Sequence, residues 1–387
     1  MTRPTTAAAT AAAGLALLAG TLVASPATAS AATAPPRADA VEYVALGDSY
    51  ASAAGVQPVD PAAPVECQRS TRNYARVIAA RTGATLVDVT CGGAQTRDLR
   101  TAQHPAVAPQ LDALAATTEL VTVTIGGNDN NVFGGAIRDC SLAGFSTGGT
   151  GSPCADQHGS AYEDTVRDET YPALVQAFTD IRERAPQATV AALAYPWILP
   201  ATGACFGAMP VAEGDVPYLR SLQATLNDAV RRAAEATGAT YVDMAPASEG
   251  HDACQPAGTR WIEPVFGGTN PVVVHPNAFG EQRMAEVALR TLGLATQPDE
   301  TRGDKVLRRF DGLAAHQQLP AARARTLRTQ VRAIVRYAGL GLDSDARTRL
   351  ALLRERATTL KRAGKVSAQQ ARALKRFTRR AATLLDL

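Results

Sequence analysis

The chain of 387 residues lacks several patterns that would assign it to a common class. It has no Cys-x-x-Cys pair and no His-Glu-x-x-His motif, so we expect no cysteine–histidine metal site. No stretch after residue 34 is long and apolar enough to cross a bilayer. Aromatic residues make up only 5% of the chain and form no stacking pattern typical of specific nucleic-acid binding. The 46% of apolar residues nevertheless suffice for a sizeable core.

The first 34 residues combine a charged start, an apolar run and several small-x-small sites. This pattern predicts a secretory signal peptide over 1–34, with cleavage after Ala29, Ala31 or Ala34 fitting equally well. A retained membrane anchor is the alternative, but the run is rich in alanine and short for a spanning helix. We therefore expect a secreted, extracellular protein, with association to the cell surface as a further option.

The cysteines all follow the predicted signal peptide. An even number of cysteines in an exported chain favours disulfides, although six allow about fifteen connectivities. Sequential pairing closes the shortest loops, and we predict it for the six cysteines, Cys67, Cys91, Cys140, Cys154, Cys205 and Cys254.

Charge divides the chain into two parts. Residues 301–387 contain 21 Lys and Arg against 6 Asp and Glu, a net charge of +15, whereas the remaining residues carry 18 and 30, a net charge of −12. The change falls near 296–304, where we place a boundary between a domain over 40–296 and a basic helical module over 301–387.

Short apolar runs alternate with longer amphipathic stretches before that boundary. Five runs read as strands: VEYVALG, TLVDVT, LVTVTIGG, TVAALAYP and TYVDMAP. Several are apolar on both faces, which is typical of parallel strands covered by helices on each side. We therefore predict a flavodoxin-like three-layer α/β/α sandwich with a parallel five-stranded sheet, followed by an all-α extension, and a site at the carboxyl ends of the strands.

Four separate blocks fit that site. Ser49 follows the first strand in GDS, and a Cys-Gly-Gly-Ala loop with Gly93 follows the second. The third strand runs into IGGNDNN, which contains Asn128, and His275 precedes the last helix in HPNAFG. In this fold the four loops converge on one edge of the sheet.

Together these blocks resemble the SGNH hydrolase superfamily, also called GDSL esterases and lipases, over most of 41–296. The segments CQRSTRNYARVIA and GHDAC and the cysteine layout are similar to its secreted actinobacterial branch. The resemblance implies that Ser49 is the nucleophile and His275 the general base, with no metal and no cofactor. It also implies an oxyanion hole made by the Ser49 and Gly93 backbone N–H groups and the Asn128 amide, with Gly93 rather than Gly92 because the family loop reads Cys-x-Gly-Ala.

Two positions depart from the family pattern. The family often has an acid three residues before its histidine, and here that residue is Val272. We predict that the Val272 carbonyl, or that of a neighbour such as Val273, orients His275; an acid from elsewhere, Asp243 or Asp252, is the alternative. Tyr50 replaces a common leucine, but this is frequent in the actinobacterial branch and puts little doubt on the resemblance.

Each block also has a structural interpretation. Ser49 or His275 would then cap a helix, Asn128 would only shape a turn, and Asp48 would organise the serine turn without a catalytic role. His251, beside a cysteine, is better explained as structural than as a substrate contact.

The basic module reads as several helices. Pro320 starts one helix, whose apolar face contains Leu327, Val331, Ile334 and Val335. Gly339 and Gly341 end it, and Asp343 or Ser344 caps a second helix, which ends at Gly364. A third helix begins at the Ser367–Gln370 capping box and contains Leu374, Phe377 and Leu384. Its arginine-rich faces would contact an anionic membrane or cell-wall polymer, or nucleic acid without sequence specificity. The alternative is a bundle docked on the acidic domain.

We therefore expect a monomeric, secreted carboxylic ester hydrolase that forms an acyl-serine intermediate on an ester or lipid substrate. A polysaccharide O-deacetylase or a lipid acyltransferase would use the same site. In a different class, the chain would be a cell-surface protein that binds anionic polymers.

Overall fold

A parallel five-stranded sheet forms the centre of the computed structural model, which describes residues 40–294, 302–339 and 343–387. The strand order is β2-β1-β3-β4-β5, and every neighbouring pair is parallel. The strands are β1 Glu42–Gly47, β2 Thr85–Asp88, β3 Leu120–Thr124, β4 Thr189–Leu193 and β5 Thr240–Val242. All five coincide with predicted runs, and the predicted flavodoxin-like fold is confirmed.

Helices cover the sheet and continue beyond it. They are α1 Ser49–Ser52, α2 Tyr74–Thr82, α3 Val132–Ser146, α4 Pro153–His158, α5 Ala161–Thr165, α6 Tyr171–Arg184, α7 Val216–Thr237, α8 Ala245–Ser248, α9 Ala278–Thr291, α10 Arg302–His316, α11 Ala321–Gly339, α12 Asp343–Arg362 and α13 Ala368–Leu385. Helix α2 packs against α9 and α6 against α7, as the crossovers of a doubly wound sheet require. Short 3-10 turns and one π turn join these elements.

The two central strands set the position of the site. Strand β3 is buried along its whole length, and β1 from Tyr43 onwards, which explains their apolar sequences. Their register pairs Gly47 with Thr124, so both strands end at the same level of the sheet. The loops that carry GDS and GGND therefore start side by side.

The C-terminal region is all helical, as predicted. Val306, Phe310, Val331, Leu374 and Phe377 belong to an apolar cluster separate from that of the sheet. Ser367 caps α13, and its side chain and that of Gln370 form the predicted capping box. The predicted start and stop signals begin at Pro320, so they do not mark helix α10, which the structure adds.

This helical region contacts the rest of the chain within one compact unit, Ala40–Leu387. The Arg336 guanidinium on α11 donates to the Ala257 carbonyl at 3.0 Å and to the Thr259 hydroxyl at 2.9 Å. The Arg72 guanidinium donates to the Gly339 carbonyl at 3.4 Å. The predicted signal peptide, most of the predicted boundary segment and Gly341 lie outside the described residues.

Three disulfides lie in the sheet domain, and the Cys140–Cys154 bond joins helices α3 and α4. They are Cys67–Cys91, Cys140–Cys154 and Cys205–Cys254, the pairing that we predict from the sequence. In the part of the chain that the structure describes, no helix has the length and apolar character to cross a membrane.

Candidate active site

The turn after β1 presents Ser49. Gly47 has φ +131°, and a Cβ there would lie 2.4 Å from the Thr124 carbonyl oxygen, so only glycine fits this position. The next residue, Asp48, is the N-cap of α1, and its Oδ1 accepts from the Tyr50 backbone N–H at 2.9 Å. Because Asp48 caps the helix, the Ser49 hydroxyl is not used for capping.

His275 meets Ser49 at this edge of the sheet. Its Nε2 lies 2.7 Å from Ser49 Oγ, and its Nδ1 lies 2.7 Å from the carbonyl oxygen of Val273. A carbonyl oxygen only accepts, so Nδ1 carries the proton and Nε2 is left to accept from the serine hydroxyl. This is the tautomer that a general base needs.

The orienting carbonyl belongs to Val273 and not to Val272, so the first choice of our prediction is wrong and its neighbour is the acceptor. The reason lies in the backbone: Val274 has φ +58°, a left-handed conformation that turns the chain just before His275. The carbonyl two residues before the ring is thereby brought to Nδ1. The Val272 N–H, in turn, is held by Asn270 Oδ1 at 3.0 Å.

Neither alternative acid reaches the imidazole. Asp243 accepts from the Ala245 N–H, and Asp252 accepts from the Cys254 N–H, each at 2.9 Å. Within residues 40–294, 302–339 and 343–387, no carboxylate makes a hydrogen bond or ion pair with His275. Burial lowers the pKa of His275 below its ordinary value, and the bond to the Val273 carbonyl only partly opposes this shift. The ring is therefore neutral near pH 7.

The loop after β2 offers a backbone donor. The Gly92 N–H donates to the Cys67 carbonyl at 2.9 Å, whereas the Gly93 N–H has no acceptor in the described part of the chain. Gly93 has φ +77° and is exposed. This difference favours Gly93 over Gly92 as a donor to a substrate oxygen, in line with our prediction.

Asn128 lies at the end of the loop after β3. Its side-chain Nδ2 donates to the carbonyl of Ala94 at 3.1 Å, which connects this loop to the Gly93 loop. It makes no side-chain cap on the following turn. An amide NH₂ has two hydrogens, so the second one is available to a ligand.

A buried chain of hydrogen bonds, absent from our predictions, joins the GDS and GGND loops. The Tyr195 hydroxyl donates to Asp48 Oδ2 at 2.5 Å and accepts from the Gly127 N–H at 2.9 Å. Burial raises the pKa of Asp48 to about 7, and the bonds from Tyr195 and Tyr50 only partly offset that effect. Asp48 thus organises the turn, which is the structural role that we predict for it.

Tyr50 holds the loop of His275. Its hydroxyl donates to the Val274 carbonyl at 2.7 Å. Its ring packs edge-on against Tyr195, with centroids 5.1 Å apart, and lies 5.2 Å from the His275 ring. The departure from leucine is the only sequence signal for this role, and the sequence alone does not predict these contacts.

Glu263 is a second residue that holds the loop of His275. Its backbone N–H donates to the His275 carbonyl, and its carbonyl accepts from the Val274 N–H, both at 2.9 Å. The Glu263 backbone therefore holds the two residues that place the imidazole. No sequence motif marks this residue, because a lone glutamate in a loop is usually solvated.

The buried Glu263 carboxylate fastens the loop on both sides of His275. It accepts from Arg260 Nη2 and the Thr269 N–H at 2.7 Å, and from Asn277 Nδ2 at 2.9 Å. Burial alone would raise the pKa of Glu263, but these three donors lower it below its ordinary value. The carboxylate is thus ionised, and both of its oxygens accept hydrogen bonds.

His251 makes its contacts outside this arrangement. His251 stacks on Trp261, with centroids 5.2 Å apart, and its Nδ1 lies 2.5 Å from the Thr259 carbonyl oxygen. These contacts give it a structural role. Among the described residues, no group of three or more His, Cys, Asp or Glu side chains is placed to hold a metal ion.

The chain is similar to a known protein family and to several characterised lipases. The profile of the GDSL-like Lipase/Acylhydrolase family matches residues 45–283. The chain belongs to this family. Lipase 2 of Streptomyces coelicolor is 59% identical over 278 residues, which cover 71% of this chain and 94% of that lipase. A lipase of Streptomyces rimosus is 33% identical over 66% of this chain and 88% of its own length.

Solved structures agree with this assignment. Phospholipase A1 from Streptomyces albidoflavus superposes with a TM-score of 0.54 at 28% identity, covering 66% of this chain and all of that protein. The extracellular lipase of Streptomyces rimosus gives 0.54 at 29% identity with the same coverage. The family and the named relatives confirm the prediction of a carboxylic ester hydrolase with the GDSL lipase fold.

Proposed function

We propose that this hydrolase cleaves esters through an acyl intermediate on Ser49. His275 Nε2 takes the hydroxyl proton as Oγ attacks the ester carbonyl, and the same proton passes to the leaving alcohol. Water then attacks the acyl-serine with His275 as base again, which releases the carboxylic acid. The single observation that carries this proposal is the Ser49–His275–Val273 arrangement, with 2.7 Å on each side of the imidazole.

Three donors would stabilise the tetrahedral oxyanion. They are the N–H groups of Ser49 and Gly93 and the second hydrogen of the Asn128 amide. The Ser49 N–H lies in the first turn of α1, where no intrahelical acceptor exists. Donors fixed before the reaction stabilise the developing charge without reorganisation.

The test of this proposal is covalent labelling together with substitution. Paraoxon should modify Ser49 stoichiometrically, and Ser49→Ala should abolish turnover of a soluble short-chain ester while the circular dichroism spectrum stays unchanged. Modification at another residue, or substantial turnover by Ser49→Ala, would contradict the proposal. A series of nitrophenyl esters of rising chain length then defines the acyl preference.

Secretion and a lipid substrate belong to the same proposal. The relatives include an extracellular lipase and a phospholipase A1, and the three disulfides of this chain suit an oxidising compartment. The predicted signal peptide also supports secretion. Finding the protein in the culture medium with a cleaved N-terminus tests secretion directly.

We also propose that the basic helices adsorb to anionic membranes or cell-wall polymer. Residues 301–387 carry a net charge of +15, and a charge of this density attracts anionic surfaces most strongly at low salt. Binding of the intact chain to phosphatidylglycerol vesicles should fall steeply as salt rises. Binding that is equal to phosphatidylcholine vesicles and independent of salt would contradict this proposal.

A further inference from the structure

The helical region contains a groove that the ester-hydrolysing site does not use. It runs between α10 and α13 and encloses a cavity of about 480 Å³. Leu313, Phe377 and Leu384 contribute an apolar floor, and Arg309, Arg376 and Arg380 line the same space. The family profile ends at residue 283, so the groove lies outside the part shared with the GDSL hydrolases.

No carboxylate in the described part of the chain pairs with the three groove arginines. The residues lining the groove include no aspartate or glutamate. Elsewhere in the region arginines do find carboxylates, as Arg328 does with Asp311 at 2.7 Å. None of the three groove arginines forms an ion pair or hydrogen bond within residues 40–294, 302–339 and 343–387. Their guanidinium groups are exposed and free to bind an anion.

We infer that this groove binds an anionic amphiphile, a hydrocarbon chain that ends in a carboxylate or phosphate. The chain would cover the apolar floor, and the head group would bind the guanidiniums, which match the two oxygens of carboxylate and phosphate. A cavity of this volume is in the range of small-molecule sites, about 300–1,000 Å³. The positive charge of the arginines favours a negatively charged head group, and the apolar floor favours a hydrocarbon tail.

The inferred ligand has the chemistry of this enzyme's product. Hydrolysis of a lipid ester releases a fatty acid, which is an anionic amphiphile. The inference does not depend on the roles that we propose for Ser49 and His275, because the groove residues belong to α10 and α13 alone. The inference is also distinct from the proposed adsorption of the basic helices. The groove would bind single amphiphile molecules, whereas adsorption requires an extended membrane or polymer surface.

The experiment titrates monomeric laurate, below its critical micelle concentration, into the intact chain by calorimetry. Arg309→Gln/Arg376→Gln should lower the affinity by about tenfold or more, because each charge-assisted hydrogen bond that is lost is worth about a factor of ten. Arg354→Gln/Arg356→Gln makes the same charge change at two exposed positions on α12 outside the groove and should leave the affinity unchanged. Arg376→Lys keeps the charge but not the planar guanidinium that pairs with two oxygens, so its affinity should lie between those of the intact chain and of the double groove variant.

Two further ligands and the matched variants separate binding in the groove from binding at another site. Acetate lacks the tail and dodecyltrimethylammonium carries the opposite charge, so both should bind far more weakly than laurate. Equal laurate affinity in Arg309→Gln/Arg376→Gln and in Arg354→Gln/Arg356→Gln would place the binding elsewhere, including the ester site, and overturn the inference. Binding to phosphatidylglycerol vesicles without any binding of monomeric laurate would overturn it as well. Unchanged ester turnover and circular dichroism establish that the variants fold.

Discussion

The Tyr50 hydroxyl donates a hydrogen bond of 2.7 Å to the carbonyl oxygen of Val274, the residue before His275. Tyr50 directly follows Ser49, so one side chain next to the candidate nucleophile holds the backbone next to the candidate base. The bond is buried, which makes it costly to lose.

Tyr50→Phe keeps the ring contacts and removes only this bond. We expect kcat to fall by about tenfold, together with a loss of about 1–3 kcal/mol in the free energy of unfolding. Tyr43→Phe is the matched control, because the Tyr43 hydroxyl makes a buried bond of 2.7 Å to Thr122 within the sheet. It should lose similar stability with kcat unchanged. If both variants keep kcat, the Tyr50 bond does not position His275.

Glu263→Gln should lower kcat more than KM changes, because the neutral amide weakens the bonds that fix both sides of the His275 loop. Removing one partner of a buried ion pair typically costs about 3–5 kcal/mol, so thermal stability should fall too. Asp215→Asn separates the two effects: Asp215 is also buried and accepts two backbone N–H bonds, at Cys154 and Ala155. That control should lose stability while it retains kcat in steady-state assays below its melting temperature.

Asp243→Asn and Asp252→Asn should each change kcat by no more than about threefold, because neither carboxylate contacts His275 and a triad aspartate is worth about 10⁴. Val273→Ala should be mild as well, since the backbone carbonyl that orients His275 survives the substitution. Steady-state kinetics on a soluble ester measures all three. A loss of about 10³ or more in either aspartate variant would establish a catalytic acid.

The Cys67–Cys91 disulfide should affect catalysis as well as stability. Cys91 precedes the Gly92–Gly93 loop, and the Cys67 carbonyl holds the Gly92 N–H. Replacing Cys67 and Cys91 with serine should lower kcat and cost about 2–5 kcal/mol of stability. Replacing Cys140 and Cys154 should cost stability alone. Peptide mapping without reduction should find all three bonds, and free thiols in the purified protein would contradict them.

The acid limb of the pH profile should lie below the ordinary imidazole pKa of 6.5. The proposed mechanism needs neutral His275, and burial lowers the pKa of this ring. As the pH falls, protonation should therefore remove activity with a midpoint below 6.5. A pH-stat assay with a soluble ester measures the midpoint. A midpoint above the ordinary value would mean that a neighbouring negative charge stabilises the imidazolium.

The sequence was informative wherever local chemistry decides the structure. Short apolar runs located all five strands, and the central ones are apolar on both faces because a buried parallel strand has no solvent side on which polar residues can alternate. Ser49, Gly93, Asn128 and His275 follow strands or precede a helix, so the topology alone brings their loops to one edge. The Ser367–Gln370 capping box was predictable for a similar reason, since both partners are three residues apart.

Long-range side-chain bonds were not predictable in this way. Tyr50 and Val274 are separated by 224 residues, and nothing in either local sequence indicates the other. The choice between the Val272 and Val273 carbonyls depends on the left-handed backbone of Val274, a conformation that β-branched residues rarely adopt. Only the folded loop, fixed by Glu263, makes that conformation favourable.

The order of synthesis gives the separation of Ser49 and His275 a consequence of its own. A chain is made from its N-terminus, and these two residues are 226 positions apart. Nascent chains of 49 to 274 residues therefore carry the candidate nucleophile without its candidate base, and α9, which follows His275, is made later still. On the proposed mechanism the polypeptide is inert towards esters throughout most of its translation, and it gains activity only when the end of the sheet domain has been added and packed.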